Sequence, residues 1–165
     1  MTEQIFKDIC VYTCRQVAKR NQTYHNVTFV VTHIPLKNKF GTKPVWKKGK
    51  KIQVSDPTRT IVDILADPRV GGGIQHTVDC LEEYLKSAHY RENLLIEYSI
   101  RFGNGAVFKR LGFLASQLLG EEHSLTQSCL SHLTKGNAIL DPAQKADKLV
   151  TKWRLFIPSN LQIGQ

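Results

Sequence analysis

The sequence predicts an α+β fold: a small, basic, mostly antiparallel sheet packed on a lobe of four to five helices, with a C-terminal strand returning to the sheet. Three observations predict it. Apolar residues recur with a period near two before Ser55-Asp56-Pro57 and near 3.6 after it. A β-rich run, Trp153-Arg154-Leu155-Phe156-Ile157, follows the last helical pattern and is closed by Pro158. The charge is one-sided, because the net +9 of the 165 residues lies entirely in residues 1–54.

The first strand is expected across Ile5 to Cys14, a stretch mixed in pattern but rich in β-formers. Arg15 to Asn26 is polar and reads as a loop. A second strand runs from Val27 to Ile34, with Val27, Phe29 and Val31 alternating against Thr28 and Thr32, and Pro35 ends it because proline has no N–H for a ladder. Lys47-Lys48-Gly49-Lys50-Lys51 reads as a hairpin tip turned by its glycine, leading into a third strand from Lys51 to Val54.

Ser55 or Asp56 then caps a first helix, with Pro57 in the first turn, where a missing N–H costs nothing. Ile61, Val62, Ile64 and Leu65 form its apolar stripe, and Asp67-Pro68 stops it. A second helix follows Gly71-Gly72-Gly73, carrying Ile74, Val78, Leu81 and Leu85. A third runs from Glu92 to Phe102, with Leu94, Leu95, Tyr98 and Phe102 inward, and ends at Gly103, where a left-handed residue fits. A fourth runs from about Gly105 to Leu119, with Val107, Leu111, Leu114 and Leu118 inward, ending at Gly120. Ser124 caps a short fifth helix that ends near Gly136. The predicted division is therefore a basic β-rich lobe, 1–54, and a helical lobe with a terminal strand, 55–165.

Composition narrows the function classes. Apolar residues make up 41% and charged residues 22%, which argues against wholesale disorder. No apolar run reaches the ~18 residues of a membrane span, so no membrane partner is expected. The N-terminus lacks a secretory h-region, and Cys10, Cys14, Cys80 and Cys129 show no metal-type or disulfide-scaffold spacing. They read as buried or half-buried thiols of a cytosolic protein.

The excess of eleven basic side chains in residues 1–54, against Glu3 and Asp8, is an electrostatic footprint for a polyanion. Arg15, Lys19, Arg20, Lys37, Lys39, Lys43, Lys47, Lys48, Lys50 and Lys51 are the candidate nucleic-acid-binding residues, with DNA as the expected polyanion. Few aromatic residues (Tyr12, Tyr24, Phe40, Trp46) lie among them, which argues against sequence-specific single-strand binding. Reactive chemistry is poorly supported. The triple glycine lacks the Lys-Ser/Thr of a P-loop and the spaced glycines of a dinucleotide fold, and reads as a flexible connection between helices. Asp56, Asp63 and Asp67 sit near one helix face, but capping explains Asp56 and the turn explains Asp67. Six histidines have no ligand-like spacing, and no nucleophile elbow is present. No catalytic residue, cofactor or metal is expected.

Three stretches then stand out together: Val54-Ser55-Asp56-Pro57-Thr58-Arg59-Thr60-Ile61-Val62-Asp63-Ile64-Leu65, Gly72-Gly73-Ile74, and Ala106-Val107-Phe108-Lys109-Arg110-Leu111-Gly112-Phe113-Leu114. In this order and spacing they resemble the C-terminal domain of the AbiEi family, the antitoxins and transcriptional regulators of type IV toxin–antitoxin systems linked to abortive infection. Thr2-Glu3-Gln4 and Lys152-Trp153 are also similar to that family's pattern, so the resemblance covers nearly the whole chain. It implies a non-enzymatic protein that neutralises a nucleotidyltransferase-class toxin. It also implies transcriptional autoregulation, which such antitoxins exert through an N-terminal winged helix-turn-helix; this chain is expected to begin where the family's C-terminal half begins. Within the motifs, Ser55-Asp56-Pro57 is expected to fix a sheet-to-helix corner and Asp63 or Arg59 to bridge helices. Lys109 and Arg110 are assigned to partner binding, because at least one should reach solvent or an acidic partner. The competing structural role is an exposed helix position for Lys109 and an ion pair with Glu97 or Asp63 for Arg110.

Overall fold

The computed structural model describes residues 8–159, 161 and 163. They fall into two compact units, Met1–Phe40 and Gly41–Gln165. The fold is α+β, with five helices and small sheets among the described residues. The division falls between Phe40 and Gly41 rather than after Val54, so the basic residues of 1–54 are shared between the units. The N-terminal part of the first expected strand, and Thr2-Glu3-Gln4, lie outside the described residues.

The first unit holds β1 (Asp8–Thr13), β2 (Asn21–Tyr24) and β3 (Val27–His33) in the order β1-β3-β2. β1 runs parallel to β3 and β2 antiparallel to it. β2 lies where a loop was expected. Its residues, Asn-Gln-Thr-Tyr, offer no apolar alternation, and its hairpin turn is built from His25 and Asn26 rather than glycine. Both adopt positive φ, 47° and 61°, as a tight two-residue hairpin turn requires. From Val27 to Thr32 every residue is half-buried, so the alternation in sequence does not produce one dry face and one wet face.

The second unit opens with β4 (Thr42–Lys47) and β5 (Lys50–Ser55), an antiparallel hairpin. Then come α1 (Pro57–Ala66), a 3-10 turn (Pro68–Gly71), α2 (Ile74–Lys86), α3 (Glu92–Phe102), α4 (Gly105–Leu118) and α5 (Ser124–Ser131). The chain closes with β6 (Ala138–Ile139), β7 (Lys148–Val150), a 3-10 turn (Thr151–Trp153) and β8 (Leu155–Ile157). β8 is the expected last strand, but its partners are β6, parallel, and β7, antiparallel. It does not rejoin the strands before Ser55. With two and three residues, β6 and β7 are too short to show any period in the sequence.

The corner between β5 and α1 is fixed by Asp56. Its Oδ1 accepts from the Arg59 N–H at 2.8 Å, its Oδ2 accepts from the Tyr98 hydroxyl at 3.2 Å, and its own N–H donates to the Gly41 carbonyl at 2.8 Å. Pro57 follows in the first turn. Ser55 joins Thr60 instead, hydroxyl to hydroxyl at 2.8 Å. α3 ends on Gly103 in the left-handed region, φ 74°. α5 starts one residue earlier than a Ser124 cap would place it: His123 caps it, Nδ1 accepting from the Leu125 N–H at 3.1 Å, while the Ser124 hydroxyl donates to Glu92. It stops at Ser131, short of Gly136.

The core of the second unit gathers Ile61, Val62, Ile64 and Leu65 of α1, Ile74, Val78 and Leu81 of α2, Leu95 of α3, Leu125 and Cys129 of α5, and Trp153, Leu155 and Ile157 of the C-terminal segment around α4. Every residue from Val107 to Ser116 is buried, so α4 is enclosed on all sides rather than along one stripe.

Candidate nucleic-acid interface

All five lysines between Thr42 and Ser55 are exposed, and the hairpin assembles them. Lys48 and Gly49 form its two-residue turn with φ of 49° and 73°, the geometry that matches the twist of paired strands. The register sets Lys43 opposite Val54, Val45 opposite Ile52, Trp46 opposite Lys51, and Lys47 opposite Lys50. Side chains alternate between faces. One face therefore carries Lys43, Val45, Lys47, Lys50, Ile52 and Val54, and the other Thr42, Pro44, Trp46, Lys51, Gln53 and Ser55. All twelve are exposed, and Trp46 most of the apolar ones, at 70%.

No acidic residue lies between Thr42 and Ser55, and among the described residues none of the five lysines has an ion-pair partner. Like charges directly opposite, as Lys47 and Lys50 are, destabilise a ladder, and a lone two-stranded hairpin is marginal in water. Both features are local conflicts of the kind expected at functional or strained positions.

The other five candidates lie in the first unit. Arg15, Lys19 and Arg20 sit exposed on the connection between β1 and β2, and Lys37 and Lys39, also exposed, lie in and after the 3-10 turn Leu36–Asn38, whose Asn38 is buried. The structure thus divides the ten candidates into two sets of five. Trp46 joins the hairpin set; its position in a strand rather than a loop emerges only once β4 is seen to extend through Pro44.

Lys109 and Arg110 are not partner-facing; this assignment is corrected by their burial, with 3% and 4% of their surface exposed. The Arg110 guanidinium donates to the carbonyls of Leu65 and Ala66, at 2.8 and 3.0 Å, and to those of Ile139 and Leu140, at 2.7 and 2.9 Å. It places its charge on the carbonyl-rich C-terminus of α1, where the helix dipole favours a cation. Burial pushes its pKa down, against the opposing pull of Asp67 and Asp141. Neither Glu97 nor Asp63 is its hydrogen-bonding partner. Lys109 donates to the Thr134 hydroxyl at 3.0 Å, and burial, with Arg154 adding, lowers its pKa.

The glycine run is a turn with strict demands rather than a flexible link. Gly72 and Gly73 have φ of 81° and 105°, and a Cβ on Gly71 would lie 2.8 Å from Ile64. The N-terminus of α2, which a phosphate would otherwise favour, already holds a carboxylate of the chain. Asp141, 1% exposed, accepts from the Ile74 N–H at 3.1 Å and from the Ala143 N–H at 2.9 Å. Asp141 carries no sequence signal, because it acts on a helix that starts 67 residues earlier.

The three aspartates around α1 are each engaged within the fold. Asp67 is held by the Arg69 side chain, at 2.8 and 2.9 Å. Asp63 accepts from Arg59 at 2.9 Å one turn away on α1, both are buried, and the Arg59 guanidinium also lies over the Phe102 ring of α3, 5.1 Å from its centroid, so Arg59 joins the two helices. Among the described residues no cluster of three or more potential ligands is arranged to hold a metal ion. No helix there is long and apolar enough to cross a membrane. Cys10 and Cys14 are exposed rather than buried, Cys80 is half-buried and Cys129 buried.

Burial pushes the Asp63 carboxyl up to about 6 from 3.8, outweighing the charge and hydrogen bond of Arg59, with Asp56 adding a small upward push. An acid whose folded pKa exceeds its unfolded value binds its proton more tightly when folded, so its contribution to stability falls as pH rises through that window. Measured by urea unfolding between pH 4 and 6, the native chain should lose stability relative to D63N as pH increases. A gain instead would mean that the ion pair with Arg59 outweighs burial.

No family model, curated protein or solved structure matches the chain.

Proposed function

We propose that this chain is a non-catalytic antitoxin domain of the AbiEi type that counteracts a nucleotidyltransferase-class toxin, and that its basic hairpin engages nucleic acid, with a role in transcriptional autoregulation. The observation that carries the antitoxin reading is where the resembling residues lie. Asp56 builds the corner at the start of α1, Gly73-Ile74 meets Asp141, Arg110 clamps the end of α1, and Gly112 receives the Trp153 ring. Stretches far apart in sequence are thus committed to one another in a single core. A family pattern that encodes a shared fold has this property. The motifs supply the scaffold; contact with the toxin falls to surface residues outside them.

The test is co-expression of the chain with its cognate nucleotidyltransferase-class toxin. Restored growth is the expected result, and persistent toxicity with well-folded chain present would end the antitoxin reading. A second reading, a basic nucleic-acid-binding accessory module without antitoxin activity, is favoured by the hairpin itself. It predicts salt-sensitive DNA binding together with no rescue of growth.

A further inference from the structure

We propose that the β4–β5 hairpin is a two-stranded ribbon that enters the major groove of duplex DNA, with its Trp46 face toward the base edges. The proposal rests on the nucleic-acid part of the reading above and is independent of the antitoxin part.

Shape and charge placement select the occupant. Six-residue strands give a ribbon about 20 Å long, with strands about 4.8 Å apart. The major groove of B-DNA, about 12 Å wide, admits such a ribbon, while the corresponding groove of duplex RNA is too narrow. A flat acidic surface would meet one face of the hairpin only. Here positive charge lies on one face (Lys43, Lys47, Lys50), on the other (Lys51) and at the turn (Lys48). A groove with phosphates along both walls meets all three sets at once.

The orientation follows from exposure and chemistry. On the Lys43 face the apolar residues Val45, Ile52 and Val54 are 40%, 46% and 37% exposed, whereas Trp46 on the opposite face is 70% exposed. Beside Trp46 stand Lys51 and Gln53. Lysine donates to guanine and glutamine to adenine in the major groove, and apolar rings touch the thymine methyl. That face therefore carries groups able to meet base edges, and the lysines of the other face and the turn reach the phosphates around the strand edges.

The experiment titrates the full chain against a labelled mixed-sequence DNA duplex and the matching RNA duplex, over a range of salt. The DNA duplex should bind at least about tenfold tighter. Each lysine on a phosphate contributes roughly 0.9 to the slope of log affinity on log salt, so K47Q/K48Q/K50Q, which removes three of them, should flatten that slope by up to about 2.7. Trp46 gives a second readout: Trp153 is 1% exposed and supplies a constant background, so DNA should quench and blue-shift the exposed emission. W46A should weaken duplex binding about tenfold. These positions are exposed, and an unchanged thermal melt of the variants confirms that the fold is retained. Absence of DNA binding would overturn both this proposal and the nucleic-acid reading. DNA binding with an unaltered slope in the lysine variant, a silent Trp46, or equal affinity for the RNA duplex would overturn the ribbon alone.

Discussion

Replacing Arg110 with alanine should destabilise the folded chain by about 3–5 kcal/mol, and lower its melting temperature by about 10 °C. The guanidinium satisfies four backbone carbonyls, of Leu65, Ala66, Ile139 and Leu140. Two close α1 and two belong to β6 and the residue after it. Without Arg110 the carbonyls nearest the core lose their donor, while water reaches part of the Ile139 side, which is 44% exposed. Arg110→Lys should recover little. One ammonium cannot span two pairs of acceptors that a planar fork bridges. Urea unfolding of the two variants checks this. Near-native stability in Arg110→Ala, accompanied by loss of a partner interaction, would return the residue to the surface role its sequence suggested.

Arg110 also shows why part of the fold is legible in the sequence and part is not. Asp56-Pro57 and Gly103 act within a few residues of themselves, so capping and left-handed termination can be read directly, and the bounds of α1 and α3 follow from them. The partners of Arg110 are carbonyl oxygens, which every residue has, so nothing in the sequence marks them. A Lys-Arg pair on an amphipathic helix reads as surface by default. The periodicity of α4 suggests one inward stripe, yet the polar residues from Val107 to Ser116 are buried too, because each finds a partner inside the fold: Lys109 the Thr134 hydroxyl, Arg110 and Ser116 backbone carbonyls. The Ser116 hydroxyl, for example, donates to the Phe113 carbonyl at 2.7 Å.

The same contrast holds for the candidate interface. The turn Lys48-Gly49 and the strand after it were legible from glycine and the β-formers behind it. β4 was not, because Pro44 and two lysines obscure its alternation. Charge counting placed ten basic residues in one patch, but sequence distance is blind to a boundary between compact units, and Phe40/Gly41 separates five of them from the other five. Within the second unit, the five lysines are grouped by the strand register of the hairpin rather than by proximity along the chain.

Gly112→Ala should cost about 3 kcal/mol or more, a large effect for one methyl group. A Cβ at this position would lie 2.0, 2.5 and 2.7 Å from three atoms of the Trp153 ring. The ring is 1% exposed, so it has no free volume into which to retreat, and the enclosed α4 cannot shift away. Trp153→Leu alone should also destabilise by about 3 kcal/mol, through lost packing. If the two residues are one contact, the losses will not add. The double variant Gly112→Ala/Trp153→Leu should be at least about 1 kcal/mol more stable than the sum of the single losses predicts, since the smaller side chain makes room for the methyl. Urea midpoints across the four proteins measure the coupling, and the Trp153 emission in Gly112→Ala should shift to the red as its pocket opens. Strict additivity would separate the two residues, and with them the Ala106 to Leu114 and Lys152-Trp153 stretches whose joining supports the antitoxin reading.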